Sequence, residues 1–191
     1  MSNNSSGKMG LELAKEAYIR GADVTVIVGN VSVKISSLFN SVHVKTTQDM
    51  AEAVFDLVPE HDIFISTAAV SDFKISEFKD SKVSSENNLD IILKPTVKIL
   101  SKVKEINPSI FLVGFKALYN AQRSELIESA KNQIKNSKTD LVVANDVGDR
   151  NCTFGSDNNK VLIIGDEIIE TPLKSKKEIS KIIWDEILRK I

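Results

Sequence analysis

Short β-branched apolar runs alternate with longer amphipathic stretches along this 191-residue chain, and that alternation admits few folds. Val24–Val28, Asp62–Val70, Ile110–Phe115 and Asp140–Asp146 read as strands buried on both faces. Val42 to Thr46 and Leu89 to Leu93 read as shorter strands, the second at an edge. Helical spacing separates them, over Lys8 to Arg20, Thr47 to Glu60, Thr96 to Asn107 and Ala121 to Lys138, and again near the end through Ile179, Ile182, Ile183, Ile187, Leu188 and Ile191. Val161–Ile164 and Ile168–Glu170 flank Gly165-Asp166, a hairpin signal. The expected fold is α/β: a three-layer sandwich with a largely parallel sheet and a C-terminal β-hairpin, in one domain over 1–191. Ser71 to Asn88 is polar with little periodicity, so a flap is expected at about 71–94.

The chain opens on Ser2-Asn3-Asn4-Ser5-Ser6-Gly7-Lys8-Met9-Gly10, directly before the first helical pattern. Ser and Asn there are N-cap chemistry, and Gly7 permits close backbone approach. Free amides and the positive end of the helix dipole make such a terminus a seat for an anion, typically a phosphate. A nucleotide-binding unit would carry a strand before this loop; none stands before Ser2, so a central strand and part of a phosphate cradle are expected to be lacking. Open α/β sheets bind ligands beyond the carboxyl ends of their strands. The residues there are Gly29-Asn30, Ala68 to Asp72, Gly114 to Lys116 and Ala144 to Val147. Small Ala68 and Ala69 let a ligand lie on bare backbone, Asp72 can accept from a ribose, Phe115 can face a base, and Asn145 hydrogen-bonds in both senses. Each has a plainer reading, as turn former, cap or core residue, and Lys82 by default is one more solvated lysine.

Basic and acidic residues nearly balance, 25 against 26, so neither nucleic acid nor a membrane surface is an expected partner. Cys152 stands alone, which excludes a disulfide within the chain; with no apolar segment of spanning length, a cytoplasmic protein is expected. His43, His61 and Cys152 lack zinc-site spacing and read as structural.

Taken in order, Ser2-Asn3-x-Ser5-Ser6-Gly7-Lys8-Met9-Gly10, Ala68-Ala69-Val70-x-Asp72-Phe73, Ser81-Lys82-Val83, Val113-Gly114-Phe115, Asp140 to Val147 and Phe154-x-Ser156-Asp157-x-Asn159 resemble phosphopantothenate–cysteine ligases over nearly the whole chain. The resemblance implies a Rossmann-like fold, usually dimeric, that couples 4′-phosphopantothenate to cysteine in coenzyme A biosynthesis. CTP, with magnesium, first turns the carboxylate into an acyl-nucleotide, and the cysteine amine then displaces CMP. It implies catalytic roles for Lys82, on the flap, and Asn3, which holds the acyl carbonyl. It implies nucleotide contacts at Ser6, Gly7, Ala68, Asp72, Lys82, Pro95, Thr96 and Phe115, and substrate contacts at Asn3, Ala69 and Asn145. No metal-binding side chain is implied; a phosphopantothenoylcysteine decarboxylase is a possible partner.

The chain departs from the family pattern at Leu118, where many members carry Glu, and at Gln133 and Ser137, where an ungapped alignment expects two nucleotide-binding lysines; Lys135 and Lys138 lie nearby. Two other readings stay open beside the ligase. One is a catalytically incompetent fragment or partner subunit that binds nucleotide weakly. The other, a dinucleotide oxidoreductase, is opposed by an incomplete glycine fingerprint and by the lack of an acidic residue ending Val24–Val28.

Overall fold

The computed structural model describes residues 5–76 and 91–191. In chain order the elements are α1 (Lys8–Ile19), β1 (Thr25–Val28), β2 (Asn40–His43), α2 (Thr47–Leu57, continued by a 3-10 turn Val58–Glu60), β3 (Ile63–Ser66), β4 (Phe73–Ile75), β5 (Leu93–Pro95), α3 (Ile99–Ile106), β6 (Phe111–Leu118), α4 (Arg123–Ser137), β7 (Leu141–Asp146), β8 (Asn158–Asn159), β9 (Leu162–Ile164), β10 (Ile168–Glu170), β11 (Lys174–Ser175) and α5 (Lys176–Lys190).

A five-stranded sheet runs in the order β10-β9-β7-β6-β3. β3, β6 and β7 are parallel, while β9 and β10 close the far edge as the antiparallel hairpin around Gly165. Period-two alternation gives each strand two apolar faces. Val113, Leu141, Val143 and Ile163 pack with Leu13 and Ala17 of α1 and Ile183 and Ile187 of α5. On the opposite face, Leu112 meets α2 and α3 through Val54 and Val103, and Val142, Ala144 and Ile164 meet Leu126 and Ala130 of α4. Helices therefore cover both faces, as a parallel sheet requires.

Among the described residues β1 pairs in parallel with β2 and not with β3, leaving β1–β2 as a separate pair. Two expectations need correction. Val24–Val28 and Asp62–Val70 are expected to be buried, yet β3 is half-buried throughout and β1 is buried only at Val28, because each lacks a neighbour on one side among the described residues. Of the expected edge strand, residues 89–90 lie outside the described residues; the described part forms β5 at Leu93–Pro95, which pairs antiparallel with Phe73–Ile75 across the base of the polar excursion. Residues 77–90, the body of the expected flap, lie outside the described residues.

Helix ends follow capping chemistry where side chains permit it. Thr46 caps α2 and Ser175 caps α5, each in a reciprocal capping box. The start of α1 is different: Gly7 is its N-cap in a left-handed conformation, φ 79°, and no side chain caps it. Among the described residues the expected Ser and Asn cap is replaced by this glycine, and the Ser6 hydroxyl one residue earlier accepts only a long bond, 3.4 Å, from the Lys8 amide.

Candidate active site

A cleft of about 590 Å³ opens beyond the carboxyl ends of β3, β6 and β7, floored by the start of α1. Its position follows from sheet topology, since the strands deliver their last residues and loops to one edge. β3 ends at Ser66, so Thr67 to Val70 leave the sheet and line the cleft. Thr67 stands so close to α1 that a Cβ on Gly10 would lie 2.7 Å from its hydroxyl oxygen. Ala68 is exposed and Ala69 half-buried.

Ser6 and Gly7 form the turn into α1. The Ser6 hydroxyl donates to the carbonyl of Phe154, and Lys8 at the head of the helix donates from Nζ to the Gly155 carbonyl and to Asp157, each at 2.7 Å. The Leu11 amide bonds the Gly7 carbonyl, whereas the Met9 and Gly10 amides meet no acceptor among the described residues. These are the free donors of an uncapped helix.

On the opposite wall, Phe115 is half-buried, packing inward against the α1/α5 core while lining the cleft. Asn145 is buried, and its Nδ2 donates to Asn159 Oδ1 at 3.3 Å. Asp72 lies at the rim, largely exposed and paired with Lys98. The Lys98 hydrogen bond and charge, with a contribution from Lys116, hold the Asp72 carboxyl below the ordinary carboxylate range. Lys8, Lys116 and Lys176 line the same cleft with Asp72 the one lining carboxylate among the described residues; Asp157 pairs with Lys8, and the cations still outnumber the carboxylates. Among the described residues no three His, Cys, Asp or Glu side chains cluster.

Ser6, Gly7, Ala68, Ala69, Asp72, Phe115 and Asn145 thus line one cleft. Pro95 and Thr96 do not. Pro95 is exposed on the β4–β5 ribbon, and Thr96 stands behind Asp72, its hydroxyl donating to the Ser71 carbonyl at 2.6 Å and its amide to the Asp72 carbonyl at 2.9 Å. Asn3 and Lys82 lie outside the described residues.

The fold adds wall residues that sequence reasoning left unassigned. Lys176 is buried with its ammonium inside the structure; nothing in a Ser-Lys-Lys-Glu run distinguishes it from a solvated lysine. Asn159 is buried beside Asn145, and its place in the Phe154-to-Asn159 cluster was the available signal. Cys152, read as structural, also lines the wall, and burial pushes its thiol up. Of the departures from the family pattern, Leu118 lines the cleft, Gln133 lies over Gly114 behind the sheet, and Lys135 and Lys138 are exposed.

The family model of the DNA/pantothenate metabolism flavoprotein C-terminal domain matches residues 1–191. The coenzyme A biosynthesis bifunctional protein CoaBC of Thermococcus kodakarensis is 40% identical over 190 residues, 98% of this chain and 46% of that protein. The CoaBC protein of Escherichia coli strain K12 is 31% identical over 198 residues, 98% of this chain and 47% of that protein. The chain therefore spans about half the length of these curated relatives. Among solved structures, a C-terminal domain of CoaBC superposes with TM-score 0.79 at 31% identity, covering 98% of this chain and 84% of that one. A DNA/pantothenate metabolism flavoprotein from Streptococcus pneumoniae gives TM-score 0.86 at 23% identity, covering 100% and 91%, and shares the fold.

Proposed function

This chain belongs to the family of DNA/pantothenate metabolism flavoprotein C-terminal domains, and from that membership we propose that it is a phosphopantothenate–cysteine ligase using CTP. The observation that carries the reading is a single positive cleft in which the α1 amides, Ala68, Ala69, Asp72, Phe115 and Asn145 meet. Both substrates of the first step, 4′-phosphopantothenate and a nucleoside triphosphate, are polyanions, and such a cleft attracts them.

In the first step a carboxylate oxygen of phosphopantothenate attacks the α-phosphorus of CTP. The bond to the bridging oxygen breaks and pyrophosphate leaves, giving an acyl-nucleotide. In the second, the cysteine amine attacks the acyl carbon; an amide forms, CMP leaves, and the amine gives up a proton. The Met9 and Gly10 amides, which meet no acceptor among the described residues, suit the phosphates. Phe115 offers a face to the base, Asp72 an acceptor to the ribose, and Ala69 and Asn145 a channel to the pantothenoyl arm. Lys82 supplies positive charge at the α-phosphorus in the first step, and Asn3 steadies the acyl carbonyl in the second. Magnesium comes with the triphosphate. A homodimer is part of the same proposal; Phe73, Ile75 and Leu93 expose apolar surface on the β4–β5 ribbon.

A second reading, weak nucleotide binding without turnover, draws on the absence of pairing between β1 and β3 among the described residues. One assay separates the two. Protein, 4′-phosphopantothenate, cysteine, magnesium and CTP are mixed and pyrophosphate is followed. Release that requires the pantothenate substrate supports the ligase. No release with CTP or with ATP removes it, and a nucleotide-dependent rise in melting temperature without release selects the second reading.

A further inference from the structure

Lys176 is the first residue of α5, is only 5% exposed, and forms no ion pair among the described residues. A lysine at a helix N-terminus opposes the macrodipole, and burial adds a desolvation cost, so neither local propensity nor stability favours it there. Its ammonium is instead filled by backbone: Nζ donates to the carbonyls of Ser156 at 2.6 Å, Phe154 at 3.0 Å and Thr153 at 3.4 Å. The Gly155 carbonyl turns to Lys8, and the Phe154 carbonyl also receives the Ser6 hydroxyl. Four successive carbonyls thus face two ammonium groups, one from the head of each of α1 and α5. In a planar trans peptide the following N–H points the opposite way, so the Phe154 and Gly155 amides face away from the lysines; neither meets an acceptor among the described residues. The β8–β11 pairing and the Lys176 amide bond to the Asp157 carbonyl, 2.8 Å, fix the base of the same loop.

We propose that Lys176 is a positioning residue of the cleft: its ammonium shapes residues 153–156, and through the Ser6–Phe154 and Lys8–Gly155 bonds that loop holds the Ser6–Gly7 turn in the form that receives the phosphates. The proposal rests on the nucleotide reading of the cleft. Lys176→Met keeps the length and removes the donors. It is expected to raise the KM for CTP about tenfold in pyrophosphate release while kcat falls less than about threefold. Trp184→Phe, which deletes another buried polar tie of α5 far from the loop, is the control and is expected to leave KM unchanged. A Lys176→Met KM within twofold of wild type, or an equal rise in Trp184→Phe, overturns the proposal. If Lys176→Met does not fold, Ser6→Ala, which cuts the other end of the relay, must raise KM; an unchanged value overturns it equally. If the wild-type protein releases no pyrophosphate with any nucleotide, the ligase reading falls and inorganic tripolyphosphate becomes the probe. Calorimetric binding about tenfold weaker in Lys176→Met than in wild type then sustains the positioning role. Equal affinity, or no binding to wild type, ends it.

Discussion

Gly7 and Val31 approach so closely that a Cβ on the glycine would stand 2.9 Å from the valine Cβ. Val33 Cγ2 presses the same point at 2.9 Å, and the Gly7 φ of 79° lies in the left-handed region. Space and backbone both demand glycine at the turn that opens the anion seat.

Gly7→Ala is therefore expected to cost about 1–3 kcal/mol of stability, through positive-φ strain and overpacking against two branched side chains. Urea denaturation measures this. Because the turn shapes the cleft, nucleotide affinity falls in the same variant even at temperatures where it remains folded; wild-type affinity would show that the turn does not form the seat.

The contact between α1 and α5 makes a second prediction. The Trp184 indole donates to the Leu13 carbonyl at 2.9 Å in a buried setting. Trp184→Phe loses that bond and is expected to destabilise by about 1 kcal/mol, whereas Trp184→Ala, which also opens a cavity, costs about 3–5 kcal/mol. Equal losses in the two variants would assign the whole effect to the hydrogen bond and none to packing.

Burial holds Lys176 below its ordinary value of 10.5. Between the lowered folded value and 10.5 the unfolded chain binds the proton more tightly than the folded chain does. In that alkaline window this group makes stability rise with pH. Urea midpoints of wild type and Lys176→Met, compared across the window, isolate the contribution: the wild-type curve should rise relative to the variant. Parallel curves would mean the ammonium is not desolvated.

Lys82→Gln is expected to block formation of the acyl-nucleotide, and Asn3→Asp to let it form but stall transfer to cysteine. Trapping the intermediate by mass spectrometry in the absence of cysteine distinguishes the steps. Equal loss of both steps in both variants would refute the division of labour.

Asp72→Asn removes a rim carboxylate whose ion pair with Lys98 is largely exposed, so stability should change by less than about 1 kcal/mol. Its effect belongs to ligand binding, read as weaker CTP affinity by calorimetry. Unchanged affinity would return Asp72 to the status of a turn residue.

Periodicity determined a good deal about this protein. Alternation in Val113, Leu141, Val143 and Ile163 against Leu112, Val142 and Ile164 prescribes a sheet with two covered faces, and the strand ends then prescribe where the cleft lies. Gly165-Asp166 marked its hairpin, and the glycine before α1 marked a close backbone approach, because both signals act over a few neighbouring residues. Three features were decided only in three dimensions. Among the described residues β1 and β3 do not pair, and which apolar strands this leaves half-buried is settled by pairing between segments far apart in sequence. The Ser6 hydroxyl, which accepts from the Lys8 amide at 3.4 Å, gives its proton to the carbonyl of Phe154, 148 residues away. Lys176 became a buried cation because a loop 20 to 23 residues earlier turned its carbonyls inward, and no local pattern records which way a distant peptide plane will face.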